Sequence, residues 1–131
     1  MGFMLTRVVR KFLRQPRIAH LATLGRNGYP HIVPVYFLLD GDDIVFGSDD
    51  NEQKVKNARR HPQGAVVIGG DPATDDAGYM FQGSLHVARD PSRKLIKRMR
   101  ALYESGSDAE EWEESDSVII RLKPRRVIRV W

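Results

Sequence analysis

Two apolar segments with a two-residue alternation stand near the start of the chain and are separated by a short polar segment. Residues 17–37 read RIAHLATLGRNGYPHIVPVYF. In the first segment Ile18, His20, Ala22 and Leu24 share one face, and in the second His31, Val33, Val35 and Phe37 do so. Because the opposite faces are also largely apolar, the pattern predicts strands covered on both sides, in a barrel or beneath another layer. Gly25-Arg26-Asn27-Gly28 supplies the residues that a hairpin connection needs.

Pro34 is the exception in this pattern. Proline has no N–H to donate to a β-ladder, so it marks a sheet edge, a bulge or an interrupted pairing. An interrupted strand exposes backbone N–H and C=O groups, which a planar polar ligand could use.

The remainder of the chain alternates between short apolar strands and amphipathic helices. Strands are predicted at residues 44–47, 65–68, 79–89, 118–122 and 127–130, the last two joined by a turn at Lys123-Pro124-Arg125-Arg126. Helices are predicted at residues 4–13, 52–60 and 91–103, with N-cap residues among Ser48-Asp49-Asp50-Asn51 and at Asp90. Six or seven antiparallel strands and two or three short helices predict a mainly β barrel with flanking helices, not a doubly wound sheet.

Composition narrows the class further. At 131 residues and 41% hydrophobic content, the chain is predicted to form one domain over residues 1–131. The absence of cysteine excludes thiolate catalysis, Cys-ligated zinc and disulfides. No apolar run approaches the ~20 residues that span a bilayer, and basic residues interrupt the N-terminal segment where a signal peptide would be apolar. We therefore expect a cytoplasmic protein that does not bind membranes.

Charge is distributed unevenly along the sequence. The net charge is +4, but residues 104–116 hold seven acids and no Lys or Arg. The 21 basic residues then face only ten acids elsewhere, which leaves +11 on the rest of the chain. Binding of phosphate and binding of nucleic acid are both candidate explanations.

Known catalytic motifs are missing: the sequence has no G-x-S-x-G, H-E-x-x-H, P-loop or G-x-G-x-x-G. His20 and His31 lie on adjacent predicted strands, but packing in a barrel wall is the better interpretation than a metal site. Lys54 is the most suggestive cation, because it follows a strand within the first turns of a helix whose N-terminal amides can bind an anion. Ser48 adds a hydroxyl at the end of that strand. On spacing alone, Lys54 is better interpreted as a solvated lysine on the outward face of a basic helix, with Val55 and Ala58 inward.

A family resemblance changes that interpretation. The stretch RIAHLATLGRNGYPHIVPVYFLLDGDDIVFGS, followed by QKVKNARRHP, resembles the split β-barrel flavoproteins related to pyridoxamine 5′-phosphate oxidase. It resembles especially the small branch that includes deazaflavin (F420)-dependent reductases. The similarity covers residues 17–89 and resumes at residues 118–131. It implies a split β-barrel that binds FMN or F420 at the interface of a homodimer.

The resemblance also implies cofactor-binding residues. Lys54 and Asn57 match the family's Lys-x-x-Asn stretch, and Ser48 matches the hydroxyl residue that ends the preceding strand. In the family these positions contact the cofactor phosphate, so the resemblance implies the same for this chain. Val33, Pro34, Val35 and Tyr36 match the strand against which the isoalloxazine lies. Gln82 matches a position that brings a polar group to the ring, although it is equally an outward residue on an alternating strand. The family often has Arg before the lysine, where this chain has Gln53.

These matches predict an FMN- or F420-dependent oxidoreductase that transfers a hydride to or from a small organic substrate. The cofactor carries that chemistry, so no catalytic side chain is assigned. The alternatives are a cofactor carrier without turnover, a haem-binding relative using His20, His31 or His86, and a basic nucleic-acid-binding module. The last is disfavoured because the aromatic residues follow strand-core patterns and are not interleaved with basic residues.

Overall fold

Six antiparallel strands close into a barrel in the computed structural model, which describes residues 3–74, 76–103 and 117–131. The strands are β1 (Ile18–Leu24), β2 (Pro30–Asp40), β3 (Asp43–Asp49), β4 (Gln63–Gly69), β5 (Gly78–Arg89) and β6 (Ser117–Arg129). Their order around the barrel is β1-β2-β3-β6-β5-β4, and every neighbouring pair is antiparallel. This arrangement confirms the mainly β barrel with flanking helices that the sequence predicts.

The β1–β2 hairpin follows the predicted alternation. Ala19 and Leu21 point into the barrel core, while Ile18 and Ile32 lie on the outer face and are exposed. At Pro34, where the sequence predicts an irregularity, β2 is paired with a neighbouring strand on one side only. Pro34 pairs with β1, whereas β3 pairs only with residues 37–40 of β2. A residue without an N–H is tolerated there because only one neighbouring strand requires hydrogen bonds.

The end of the chain departs from the sequence prediction. Instead of two strands joined by a turn, β6 is one continuous strand of 13 residues that runs through Pro124. Pro124 faces Gly83 of β5 next to an irregularity in the β5–β6 register, and β3 has stopped pairing with β6 at Leu122. A Cβ at Gly83 would lie 2.1 Å from the carbonyl oxygen of Lys123. Only glycine allows β6 to approach so closely at this bulge.

Two helices close the ends of the barrel. Helix α1 (Arg7–Leu13) lies at the end formed by the β2–β3 turn, and α2 (Gln53–Arg60) lies at the opposite end. Apolar side chains of both helices join the barrel core: Leu5, Val9 and Leu13 from the α1 segment, and Val55 and Ala58 from α2. Helix α1 begins later than predicted, after the Thr6 hydroxyl accepts a hydrogen bond from the backbone N–H of Val9 at 3.2 Å.

The inward face of α2 is wider than the sequence predicts. Glu52 is its N-cap residue, so the helix begins after the predicted capping residues. Lys54 and Asn57 are buried together with Val55 and Ala58. The expectation that Lys54 faces outward is therefore wrong, because its stem lies along the surface that α2 presents to the barrel.

Helix α3 (Lys94–Tyr103) packs on the outside of the barrel over β2, β3 and β6. A second apolar cluster forms this contact: Leu38, Val45, Leu95, Ile96, Met99 and Ile119. The carboxylate of Asp90 accepts hydrogen bonds from the backbone N–H groups of Leu95 (3.1 Å) and Ile96 (2.9 Å). It thus caps α3 across the short 3₁₀ turn Pro91–Arg93. The predicted acidic segment, residues 104–116, lies outside the described residues.

Within the described ranges, no helix has the length and apolar character needed to cross a membrane.

Candidate functional site

A cavity of about 310 Å³ lies where β3 ends, α2 begins and α3 crosses the outside of the barrel. Its lining comes from five parts of the fold: Pro34, Val35 and Tyr36 of β2; Gly47, Ser48 and Asp49 of β3; Glu52 and Lys54 around the start of α2; Ile96 and Met99 of α3; and Ser117 of β6. We call it the Lys54 pocket. Five of the eight predicted cofactor-binding residues line it: Pro34, Val35, Tyr36, Ser48 and Lys54.

One end of the Lys54 pocket is apolar and aromatic. Tyr36 supplies it from β2, and Ile96 and Met99 supply it from α3, whereas the side chain of Val35, which also lines the pocket, belongs to the apolar core inside the barrel. The ring of Tyr36 lies 4.4 Å from the ring of Tyr103, centroid to centroid, at an interplanar angle of 32°. An apolar, partly aromatic surface of this kind suits a planar heterocyclic ligand.

Tyr103 is itself held firmly behind this end of the pocket. Its hydroxyl lies 3.0 Å from the carbonyl oxygen of Phe37 and 3.1 Å from that of Arg17, and it accepts a hydrogen bond from the Arg17 N–H at 3.3 Å. Burial raises the pKa of Tyr103 above its ordinary value. The phenol therefore stays neutral at physiological pH and acts as a fixed support for Tyr36.

The other end of the pocket is polar and contains Lys54. The Lys54 side chain is only 9% exposed, and its ammonium group forms an ion pair with the carboxylate of Glu52. The backbone N–H of Asp49 also approaches Glu52, at 3.5 Å. Burial raises the pKa of Glu52, but the hydrogen bond and charge of Lys54, with hydrogen bonds from Asp49 and Ser48, outweigh it and hold this pKa below its ordinary value. Glu52 is therefore a carboxylate at neutral pH.

Sequence reasoning missed the role of Glu52. In the sequence it precedes Lys54 by two residues, and two residues of one helix point about 200° apart. Glu52 escapes this rule because it is the N-cap residue, with ψ of 151°, and not part of the helix. Its side chain folds back over the first turn and meets Lys54. The contribution of α3 was also missed, because no local pattern indicates which strand a distant helix covers.

Gly47 shows why α3 can come so close to the pocket. A Cβ at this position would lie 2.8 Å from Cδ1 of Ile96. The absence of a side chain at the end of β3 lets α3 pack directly against that strand.

Asn57 does not line the Lys54 pocket. It is fully buried, and its amide donates to the Thr23 hydroxyl at 3.1 Å and accepts from Gln53 (2.8 Å) and Arg60 (3.2 Å). These bonds attach α2 to β1. They also occupy the amide of Asn57, so its position does not support the predicted contact between Asn57 and a phosphate. They also explain the departure at Gln53, whose amide is directed towards Asn57.

Val33 and Gln82 also lie elsewhere. Val33 packs against the apolar core inside the barrel. Gln82 lines a separate open groove of about 830 Å³ on the outside of β1, β4, β5 and β6. The floor of this groove is made of small residues such as Ala22, Gly64 and Gly83, and Arg125 and Arg126 stand beside Gln82. Within one chain, Gln82 therefore does not join Lys54.

The histidines do not assemble into a metal centre. In residues 3–74, 76–103 and 117–131 there is no cluster of three or more His, Cys, Asp or Glu that could hold a metal ion. Nδ1 of His31 is buried without a hydrogen-bond partner among these residues. His31 lines a separate cavity of about 470 Å³ with Gln53 and Asn57, and Lys54 is not part of its lining.

Comparison with known proteins identifies the family. The family model described as pyridoxamine 5′-phosphate oxidase matches residues 5–131. The chain belongs to this family. No curated protein matches the sequence.

Solved structures share the fold of this pyridoxamine 5′-phosphate oxidase family member. A protein named F420 reductase is 24% identical, with a TM-score of 0.75 over 91% of this chain and 94% of its own. A putative pyridoxamine 5′-phosphate oxidase from Listeria innocua is 22% identical, with a TM-score of 0.74 and coverage of 94% and 95%. A conserved hypothetical protein from Mycobacterium tuberculosis is 21% identical, with a TM-score of 0.77 and coverage of 98% and 85%.

Proposed function

We propose that the protein is an oxidoreductase that binds FMN or the deazaflavin F420 in the Lys54 pocket and acts on a small organic substrate. One observation carries this proposal: the pocket combines a buried cation at one end with an apolar, aromatic surface at the other. A nucleotide-like cofactor with a planar ring and a phosphate has the same two-part character. Membership of the family and the likeness to a protein named F420 reductase support the same class of ligand.

The residues present suit such a cofactor. Lys54 and Ser48 can donate hydrogen bonds to a phosphate oxygen, while Tyr36, Ile96 and Met99 can exclude water from one face of a ring. When bound, a flavin or deazaflavin supplies the hydride chemistry itself. The protein needs to bind it, orient it and keep the reacting face dry, and the pocket offers groups for each task.

We further propose that the working form is a homodimer with the cofactor at the interface. The outer face of the β1–β2 hairpin exposes Ile18 at 46% and Ile32 at 63%, and Tyr29 in the adjoining turn is 73% exposed. Adjacent exposed apolar residues of this size usually mark an interface. The Lys54 pocket opens beside Pro34 of the same hairpin, so a second copy on this face would border it.

A titration of the purified protein with FMN and, separately, with F420 tests the proposal. We expect one of the two to bind at micromolar concentration, seen as a change in its visible absorbance or fluorescence. The bound, reduced cofactor should then be reoxidised by members of a panel of small organic acceptors. Binding without turnover across the panel would favour a carrier, and failure of both cofactors to bind would refute the proposal.

A further inference from the structure

Glu52 occupies the place in the Lys54 pocket that a ligand's anion would take. Its carboxylate forms an ion pair with Lys54, whose side chain is nine-tenths buried, and faces the backbone N–H of Asp49 at 3.5 Å. Lys54 and this N–H, together with the Ser48 hydroxyl, are donors that the described lining of the pocket offers to a phosphate. The Glu52 side chain makes no capping hydrogen bond to α2, so capping of the helix N-terminus does not explain where this side chain lies.

The charge of the described lining supports this view. Lys54 is its one cation, and it is accompanied by two carboxylates, Asp49 and Glu52. The two arginines at the end of α2 are directed elsewhere. Arg59 pairs with Asp50 at 2.6 Å, and Arg60 donates to the carbonyl oxygen of Leu24 at 2.6 Å.

We propose that Glu52 competes with the ligand's phosphate for Lys54, and that the pocket thereby favours a singly charged phosphodiester over a doubly charged phosphomonoester. This inference rests on the proposed function and adds which phosphate chemistry the site accepts. A phosphate must displace the Glu52 carboxylate or lie beside it. Repulsion between neighbouring anions grows with the charge of the phosphate, so a dianion is disfavoured more than a monoanion.

Glu52 can move away without disrupting the fold. Its side chain is 43% exposed, in contrast to that of Lys54. A half-exposed carboxylate regains water when it leaves its partner, so displacement by a ligand is feasible. The ion pair therefore keeps Lys54 neutralised and ordered while the pocket holds no anion.

Inorganic phosphate is the first probe, because it requires no flavin. We would measure its dissociation constant by isothermal titration for the wild type, Glu52→Gln and Glu52→Ser, the last being a good N-cap side chain that protects helix α2. Removing the competitor should tighten phosphate binding by about tenfold or more, the range of one charged hydrogen bond. Adding Lys54→Met to Glu52→Gln should abolish this gain.

Asp50→Asn is the matched control. It removes one negative charge two residues away, from a side chain that pairs with Arg59 and does not line the pocket. It should change phosphate affinity less than about twofold, since an exposed charge is screened by salt. An equal gain in phosphate affinity in Asp50→Asn and Glu52→Gln would overturn the proposal, because the gain would then come from the overall loss of negative charge and not from the contact between Glu52 and Lys54.

Flavins give the second measurement. The ratio of riboflavin to FMN dissociation constants isolates the phosphomonoester, and we expect it to rise about tenfold from wild type to Glu52→Gln. Affinity for F420, whose phosphate is a diester, should change less. No gain in phosphate or FMN affinity on removing Glu52 would refute the competition. If phosphate binding gains as expected but no variant binds FMN or F420, the role of Glu52 stands and the proposed function fails.

Discussion

Replacing Lys54 by methionine separates its role in binding from its role in folding. Methionine retains much of the apolar stem that α2 buries and removes the ammonium group. A charged hydrogen bond to a partly desolvated phosphate contributes roughly 1.5–3 kcal/mol. The dissociation constant of the cofactor should therefore rise about ten- to a hundredfold, measured by titration of the purified variant.

The same variant should also lose some stability, contrary to what a solvated lysine would predict. Lys54→Met leaves Glu52 without its cation, but Glu52 is 43% exposed and can be hydrated. The loss should be near the upper limit for exposed ion pairs, about 1 kcal/mol, and well below the roughly 3–5 kcal/mol for breaking a fully buried pair. Urea unfolding without cofactor measures this loss.

Lys56→Met is the control on the same helix. Lys56 is exposed and lies about 200° around α2 from Lys54. We expect changes below about 0.5 kcal/mol in stability and below twofold in affinity. Equal weakening of binding by both substitutions would mean a diffuse electrostatic effect, and no weakening by either would mean that the phosphate is held elsewhere.

Three further predictions concern the interface and the fold. Ile32→Asp, on the exposed face of the hairpin, should turn a dimer into a monomer in light scattering. Val8→Asp, at an exposed position of α1, should not. A monomeric wild type with cofactor bound would contradict the proposed interface. Asp90→Ala removes the cap of α3 and should lower the free energy of unfolding by about 1 kcal/mol. Asp90→Asn keeps one acceptor oxygen in place of the two that bind the Leu95 and Ile96 N–H groups, so it should recover only part of this loss. Burial raises the pKa of Asp40, but hydrogen bonds and charge from Arg121 outweigh it, so the pKa lies below the unfolded-state value of 3.8. Asp40→Asn should therefore destabilise the protein at neutral pH, and the difference from wild type should shrink as the pH falls below 3.8, as measured by thermal unfolding across a pH series.

The barrel could be predicted because alternation and turn residues act locally. The β1–β2 hairpin and α3 lie close to where their patterns place them. The single closing strand β6 could not be predicted from the sequence, because Pro124 followed by two arginines is typical of a turn. Whether a proline fits inside a strand depends on its neighbours across the sheet. Here the opposing Gly83 and the end of the β3 pairing make room for it.

The candidate site was predictable only in part, for a similar reason. Ser48 and Lys54 were assigned from the family resemblance, and the structure brings them together with Tyr36 in one pocket. Spacing alone put Lys54 on the solvated face of α2. Its burial depends on how α2 is rotated against the barrel end, and Asn57 fixes that rotation through its bond to Thr23. A contact between a helix and a strand 34 residues away leaves no local signal in the sequence.

The ion pairs of the described residues do not remove the basic surplus. Arg10 pairs with Asp42, Arg17 with Asp76 at 2.7 Å, Arg59 with Asp50 at 2.6 Å, and Arg121 with Asp40 and Asp43 at 3.0 and 3.1 Å. The acids in these pairs are already subtracted in the value of +11, so the surplus is carried by other Lys and Arg residues. In the Lys54 pocket, the one cation of the described lining pairs with a half-exposed acid, Glu52. Under our proposal, phosphate recognition depends on which partner Lys54 takes, so replacing Glu52 should change ligand choice most.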